Sequence, residues 1–231
     1  MNLSLVIPVY NEREILPELV RRCTEAVAHL DGPCEVLLID DHSTDGSDTW
    51  LATVEAPIHH IRLPENRGQW GATRHGLSLA RGSLVAVMDG DLQDPPEHLP
   101  RLVRQLAHHP AASVAFAVRT GQVDPLWMRV GRRGYRALQH VLNDGNVVPS
   151  GAGSYCVMQA EVARQAAAVD LSDANLAAVL TALRVPVTTI HVERAPRAHG
   201  TSRVGLRGLT REAIGSLWLL ATLGRRSSAG G

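Results

Sequence analysis

The sequence contains no lysine, so every basic side chain other than histidine is an arginine. This absence excludes any mechanism that depends on a lysine nucleophile or Schiff base. Aromatic residues make up only 3% of the chain, and 23 basic residues are balanced by 23 acidic ones. Without stacking surfaces or an excess of positive charge, the chain lacks the features of a nucleic-acid-binding protein.

Cysteines and long apolar runs are also scarce. The three cysteines, Cys23, Cys34 and Cys156, have no CxxC spacing, and their odd number does not indicate a disulfide framework. No apolar run approaches the ~20 residues that span a bilayer, and the first residues predict a strand instead of a signal peptide. We therefore expect a cytoplasmic protein with reduced thiols, or one bound peripherally to the inner membrane face.

The hydrophobic pattern predicts one α/β domain covering residues 1–231. Apolar runs that alternate with helical spacing favour right-handed crossovers and a mainly parallel sheet. The predicted strands cover residues 3–9, 35–39, 58–63, 83–88, 113–118 and 185–191. After about residue 120 the pattern is less regular, with helices predicted near 128–142, 160–168, 174–184 and 207–223. Parallel sheets bind ligands at the carboxyl ends of their strands, where the informative residues fall.

The segment MDGDLQDPPE follows the fourth of these strands and contains four carboxylates. If the segment is extended, alternation places Asp89, Asp91 and Gln93 on one side. Two carboxylates and an amide oxygen form a hard site that suits Mg²⁺ or Mn²⁺. Gly90 would allow close approach of a ligand, while Asp94 is interpreted as a turn and helix-cap residue. The alternative is that the whole cluster is a capped turn.

Two further segments are polar at predicted strand ends. Asp40 and Asp41 could bond a nucleobase edge, although a helix-capping turn with Ser43 or Thr44 as the cap is the alternative. In the segment ENRGQWGATRHGLSLARG, three glycines and two arginines indicate backbone approach to a phosphate-bearing ligand at a helix start. These residues are Arg67, Gly68, Gly71, Arg74 and Gly76.

Four segments, in this order and spacing, resemble the family 2 glycosyltransferases, which have the GT-A fold. They are VIPVYNE, IDDHSTDGS, ENRGQWGATRHGLSLARG and MDGDLQDPPE. The similarity is closest to the branch with dolichol-phosphate mannose synthase and bacterial polyprenyl-phosphate sugar transferases, for which DLQDPPE is especially diagnostic. The resemblance is strong over residues 3–110 and returns at ERAPRAHGTSRVGLRGL.

This resemblance implies a metal-dependent, inverting transferase that uses a nucleotide diphosphate sugar, with a UDP-sugar favoured over a GDP-sugar. Residues 1–118 would form the nucleotide-sugar half, residues 119–224 the acceptor half, and 225–231 a disordered tail. The implied donor contacts are Pro8, Tyr10, Glu12, Asp41, Arg67, Gly68 and Gly90, and the implied metal ligands are Asp89, Asp91 and Gln93. The implied acceptor or diphosphate contacts are Arg119, Arg132, Arg133, Arg197, Gly200, Ser202 and Arg203.

The acceptor is where the chain departs from the family pattern. Ser150 and Cys156 occupy places where the family usually shows an Asp and an Arg, and no membrane span follows the arginine-rich loop. The lost arginine favours a soluble small-molecule hydroxyl acceptor over a polyprenyl phosphate. A hydroxyl acceptor needs a general base, and Asp173 and Asp170 are the available carboxylates, with His199 a lesser candidate. Asp173 as a helix N-cap is the alternative.

The last predicted helix, 207–223, has its apolar residues largely on one face. Core packing is the default interpretation of such a helix. Contact with a membrane surface and a homodimer interface are the alternatives. The basic, glycine-rich segment before it has no periodicity and is predicted to be a mobile active-site loop. A catalytically inactive nucleotide-sugar-binding module is the alternative to an enzyme.

Overall fold

The computed structural model describes residues 2–120, 148–149, 151–171 and 174–193. Its strands are β1 (Leu3–Val9), β2 (Cys34–Asp40), β3 (Ile58–Arg62), β4 (Leu84–Val87), β5 (Val114–Thr120), β6 (Ala152–Gln159) and β7 (Val187–Glu193). Its helices are α1 (Leu16–Ala28), α2 (Ser47–Leu51), α3 (Gly68–Leu79), α4 (Leu99–His108), α5 (Ala160–Ala167) and α6 (Leu176–Ala182). A short 3-10 helix, Pro96–His98, precedes α4. The predicted helices 128–142 and 207–223 lie outside the described residues.

Within these ranges the strands form one sheet in the order β3-β2-β1-β4-β6-β5-β7. Neighbouring strands are parallel from β3 to β4 and again between β5 and β7, and β6 is antiparallel to both β4 and β5. The prediction of a mainly parallel α/β sheet is therefore confirmed. Strand β6 was not predicted, because its glycine and mixed polarity resemble a loop and its pairing is entirely long-range.

Both faces of the sheet are covered by helices. Along β1, Leu5 and Ile7 pack on one face, in a core that includes side chains of α1, α2 and α4. Val6 lies in the opposite core, which includes side chains of α3, α5 and α6. This alternation follows from the two-residue period of a strand, and it explains why buried strands of a parallel sheet are apolar throughout. None of the described helices is long and apolar enough to cross a bilayer.

Helix α3 packs unusually close to the sheet, and this fixes its N-terminus beside the strand ends. A Cβ atom added at Gly76 would lie 2.3 Å from Val6 Cγ1 and 3.0 Å from Ile39 Cγ1. Gly71 is equally tight, with its added Cβ 2.5 Å from the Cβ of Arg67. Gly76 therefore serves helix packing, and the prediction that it approaches a phosphate is wrong, whereas Gly71 makes room for the Arg67 side chain and its approach to a phosphate stays a prediction. Arg74 likewise pairs with the carboxylate of Asp170.

Candidate active site

The strand order reverses between β1 and β4, and a ligand crevice is expected at such a switch point. Tyr10 follows β1 and is 39% exposed, so its ring is accessible at this edge. Gly90 follows β4, and an added Cβ there would lie 3.2 Å from the carbonyl oxygen of Pro8. Gly90 thus allows the β4 end to pack against β1, and its predicted role in giving clearance to a ligand stays a prediction.

Asp89 is held by side chains from two other elements of the fold. Its Oδ1 accepts hydrogen bonds from Gln69 Nε2 at 2.7 Å and from Ser154 Oγ at 2.6 Å. Its Oδ2 lies 3.6 Å from an Nη2 atom of Arg119. Burial raises the pKa of the Asp89 carboxyl, the Ser154 hydrogen bond opposes that rise, and the neighbouring charge of Asp94 adds to it. A positive charge at this position would favour the ionised form.

The segment after Asp89 turns instead of extending. Asp91 Oδ1 accepts a hydrogen bond from the backbone N–H of Gln93 at 3.1 Å, which closes a tight turn. Leu92 has a φ of 57° and is buried in the core, so it anchors this turn. The extended geometry predicted for the segment is therefore wrong, although the turn still holds Asp91 near Asp89. Gln93 is only 9% exposed, and its role as a metal ligand stays a prediction.

Asp94 forms a buried ion pair that the sequence did not predict. Arg119 donates from Nε to Asp94 Oδ1 at 3.0 Å and from Nη2 to Oδ2 at 2.5 Å. Asp94 is 1% exposed, and neither following helix has a side-chain cap, so the predicted capping role of Asp94 is wrong. Burial lowers the pKa of Arg119, but the hydrogen bond to Asp94 and the charges of the neighbouring carboxylates together outweigh it and leave that pKa raised.

Gly153 provides the space that the Arg119 guanidinium occupies. A Cβ atom at Gly153 would lie 3.0 Å from Nη2 and 3.1 Å from Cζ of Arg119. Strand β6 therefore contributes a bare backbone surface below the guanidinium and, at the next residue, the Ser154 hydroxyl. The arginine predicted to bind an anionic acceptor is thus held by Asp94 within reach of Asp89.

Asp41 lies at the end of β2 and bonds the start of α3. Its Oδ1 accepts from the backbone N–H of Arg67 at 2.7 Å, and its carbonyl oxygen accepts from Asn66 Nδ2 at 3.1 Å. Burial raises the pKa of Asp41, while backbone hydrogen bonds from Arg67 and Gly68 lower it. Gly68 has a φ of 73°, which explains the glycine there. Base binding by Asp41 stays a prediction, since the carboxylate is 3% exposed and already organises this turn.

The loops after β1 and β2 are joined by hydrogen bonds. The backbone N–H of Asn11 donates to Ser43 Oγ at 2.9 Å, and Asn11 Oδ1 accepts from the N–H of Thr44 at 2.8 Å. Helix α2 begins at Ser47 after Gly46, so the prediction that Ser43 or Thr44 caps it is wrong. These bonds fix the strand-end loop that includes the predicted donor contact Glu12.

The segment in which the sequence departs from the family pattern includes strand β6, and Cys156 on that strand lies in the core. Cys156 lies in β6, pairs with Val87 and Phe116, and is 0% exposed. Burial raises the pKa of its thiol, as expected for an inert core cysteine. The side chain is fully buried in the core, so it is not available to contact an acceptor.

Several predicted contacts lie outside the described residues. They are Arg132, Arg133, Ser150, Asp173, Arg197, His199, Gly200, Ser202 and Arg203. The N-cap of α6 lies within the described residues. It is Asn175, whose Oδ1 accepts a hydrogen bond from the backbone N–H of Ala178 at 2.8 Å. The interpretation of Asp173 as that cap is therefore wrong. Asp170, the other proposed base, has a side chain that is 86% exposed and paired with Arg74.

The charge of the acidic group fits a divalent cation. The charges of Asp91 and Asp94 raise the pKa of Asp89, and the positive charge of Arg119 partly compensates them. Among the described residues, no three His, Cys, Asp or Glu side chains form a ready metal cage. Mg²⁺ is commonly held by one or two carboxylates together with substrate phosphates. The oxygen donors present therefore fit Mg²⁺ or Mn²⁺ arriving with a diphosphate.

The fold defined by this sheet and its strand-end site is the GT-A fold of glycosyltransferases. The chain is similar to mannosyl-3-phosphoglycerate synthase from Rubrobacter xylanophilus, with a TM-score of 0.71, 16% identity, and coverage of 99% of this chain and 75% of that one. A second solved structure is glucosyl-3-phosphoglycerate synthase from Mycobacterium tuberculosis in complex with Mn²⁺, uridine-diphosphate and glucosyl-3-phosphoglycerate. It has a TM-score of 0.69 and 20% identity, covering 96% of this chain and 79% of that one.

The chain belongs to the family described as Glycosyl transferase family 2, whose match covers residues 4–165, more than half of the chain. Among curated relatives, it is 47% identical over 130 residues to undecaprenyl-phosphate 4-deoxy-4-formamido-L-arabinose transferase from Sodalis glossinidius, covering 54% of this chain and 39% of the relative. The enzyme of the same description from Pseudomonas syringae is 42% identical over 130 residues, covering 54% and 38%. The chain thus spans less than half the length of the curated relatives it matches.

Proposed function

We propose that this glycosyltransferase moves a sugar from a nucleotide diphosphate sugar, preferably UDP-linked, to a polyprenyl phosphate. The observation that carries the proposal is the convergence of Asp89, Asp91 and the Arg119–Asp94 pair at the carboxyl ends of β4 and β5. Carboxylates that can hold a metal–diphosphate and a fixed guanidinium beside them suit a reaction between two phosphate-bearing substrates.

We propose a phosphate acceptor instead of the hydroxyl acceptor that the sequence favoured. That preference depended on Cys156 standing in an acceptor pocket, and Cys156 is a core residue. The curated relatives include enzymes whose names give undecaprenyl phosphate as their acceptor. A phosphate acceptor is already ionised, so it needs no general base.

The chain's residues divide the work between donor and acceptor. Asp89 and Asp91, with Gln93 as a third candidate, would hold Mg²⁺ or Mn²⁺, and the cation would supply charge stabilisation to the departing diphosphate. Tyr10, Glu12, Pro8 and Asp41 would border the nucleoside, and Arg67 and Gly68 the ribose or diphosphate. Arg119 would hold the acceptor phosphate near the anomeric carbon. A bond from acceptor oxygen to that carbon then forms as the bond to the diphosphate breaks, with inversion.

The acceptor is tested with a matched pair of lipids, a short polyprenyl phosphate and the corresponding polyprenol. The protein is incubated with Mn²⁺ and radiolabelled UDP- and GDP-sugars, after a thermal-shift screen has identified the donor that stabilises it. We expect label to enter the organic phase only with the phosphate. Transfer to the polyprenol or to a water-soluble alcohol, with none to the phosphate, would contradict the proposed acceptor and support the hydroxyl hypothesis.

The variant Asp173→Asn provides a second test that distinguishes a phosphate acceptor from a hydroxyl acceptor. Since an ionised phosphate needs no base, we expect the variant to retain wild-type kcat within a factor of about three, and Asp170→Asn to behave in the same way. Removal of a general base would instead cost about 10²–10⁴-fold in rate. A loss of that size in initial-rate measurements on the preferred acceptor would show that Asp173 is the base and that the acceptor is a hydroxyl.

A further inference from the structure

Two side chains from separate parts of the fold donate to the same oxygen of Asp89. Gln69 comes from the first turn of α3, and Ser154 comes from β6. Their donor atoms lie 2.7 and 2.6 Å from Asp89 Oδ1, respectively. The register explains the second contact: Val87 of β4 is opposite Cys156 of β6, and two residues further along, Asp89 comes opposite Ser154.

Double donation to one oxygen fixes the carboxylate torsion. A carboxylate has about four lone-pair sites and a broad, roughly two-fold torsional preference, so one weakly held group would rotate. With Oδ1 bonded on two sides, Oδ2 is directed to the side where Arg119 Nη2 lies at 3.6 Å. Metal-binding carboxylates are commonly hydrogen-bonded in this way by residues that do not touch the metal.

We infer that Ser154 and Gln69 are positioning residues that hold Asp89 with Oδ2 facing the cation and donor diphosphate. The inference rests on the proposed function, because it takes Asp89 as a ligand of the donor-bound cation. Through these two bonds, the start of α3 and the strand that lies under Arg119 both set the orientation of one carboxylate. The competing explanation is that the two bonds only satisfy a partly buried carboxylate and have no effect on ligand binding.

The test measures Mn²⁺ binding directly, by the electron paramagnetic resonance signal of free Mn²⁺, with and without UDP. Substitution of residues that orient metal ligands typically weakens metal affinity 10–100-fold, so we expect Ser154→Ala and Gln69→Ala each to weaken binding by about 10-fold. Ser154→Thr keeps the hydroxyl and should bind Mn²⁺ within about two-fold of the wild type. Because both donors act on one oxygen, the double variant should depart from the product of the single effects.

Two matched substitutions control for side-chain removal alone. Ser78→Ala removes an exposed hydroxyl from α3, and Gln165→Ala removes an exposed amide from α5. Both should bind Mn²⁺ like the wild type. Thermal unfolding of every variant without metal shows whether it is folded, and the Ser154→Thr comparison isolates the hydroxyl from packing.

The outcomes distinguish the inference from the function on which it rests. If the wild type binds Mn²⁺ and the Ser154→Ala and Gln69→Ala variants bind it equally well, the positioning role is overturned while the proposed function stands. If Ser154→Thr is as impaired as Ser154→Ala, the hydroxyl is not responsible and the role of Ser154 is overturned. If the wild type binds no Mn²⁺ with or without UDP, the metal assignment and this inference both fail.

Discussion

Asp91→Ala is expected to abolish sugar transfer while leaving the protein folded. Asp91 follows β4 and lies close to Asp89. We propose that both carboxylates hold the cation that neutralises the departing diphosphate. Loss of one such electrostatic contribution to a transition state costs on the order of 10²–10³-fold in kcat. The hydrogen bond that Asp91 accepts from the backbone N–H of Gln93 is worth about 1 kcal/mol, so its loss alone should not unfold the protein.

The measurement is initial rate with the preferred donor, together with a denaturation curve for each variant. Asp31→Asn, at an exposed position between α1 and β2, is the matched control and should keep full activity. A chelator should abolish wild-type transfer, and added Mn²⁺ should restore it. Unchanged turnover in Asp91→Ala, or full activity in chelator, would remove Asp91 and the cation from the mechanism.

Breaking the Arg119–Asp94 pair is expected to produce a large loss of stability. Asp94 is 1% exposed and Arg119 has a side chain that is 15% exposed, so either substitution removes the hydrogen-bonded partner of a charge that is largely out of water. Removal of one partner from a buried ion pair costs about 3–5 kcal/mol in free energy of unfolding. Arg119→Met and Asp94→Leu should therefore each destabilise strongly, while the double variant recovers much of the loss.

Denaturant unfolding of the wild type, the two single variants and the double variant gives the coupling energy between Arg119 and Asp94 directly. Arg164→Met is the control, since Arg164 pairs with Glu161 on the exposed surface of α5 and should have no measurable effect. We expect the double variant to remain inactive despite its recovered stability, because Arg119 is also proposed to hold the acceptor phosphate. Additive losses without recovery would contradict the coupling, and an active double variant would remove Arg119 from acceptor binding.

Much of the donor side could be predicted from the sequence because it is encoded locally. The apolar runs before Tyr10, Asp41 and Asp89 predict strands, and a parallel sheet places the ends of such strands together. The glycine-rich segment correctly indicated the start of α3 at Gly68. Its interpretation as a phosphate loop failed at Gly76, since a glycine required for close helix packing and one required for ligand approach look the same in a sequence.

The acceptor side could not be predicted in the same way. Strand β6 pairs antiparallel with both β4 and β5, and it contributes Gly153 below Arg119 and Ser154 beside Asp89. No local pattern around SGAGSYCVMQ specifies those partners, which are separated from it by tens of residues in the chain. Cys156 lies two residues from Ser154 on the same strand, but it is fully buried in the core, and depth along a strand cannot be predicted from the sequence.

The sequence by itself determined the alternation of strands and helices, the family resemblance and the acidic residues at the end of β4. Those features follow from periodicity and from residue type, which a linear chain displays directly. Only the tertiary structure decided that Asp94 pairs with Arg119, that Gln69 and Ser154 share one oxygen of Asp89, and that Cys156 faces the core. Each of these depends on strands and helices distant in sequence meeting in a particular register, and a side-chain hydrogen bond forms only within about 3 Å of its partner.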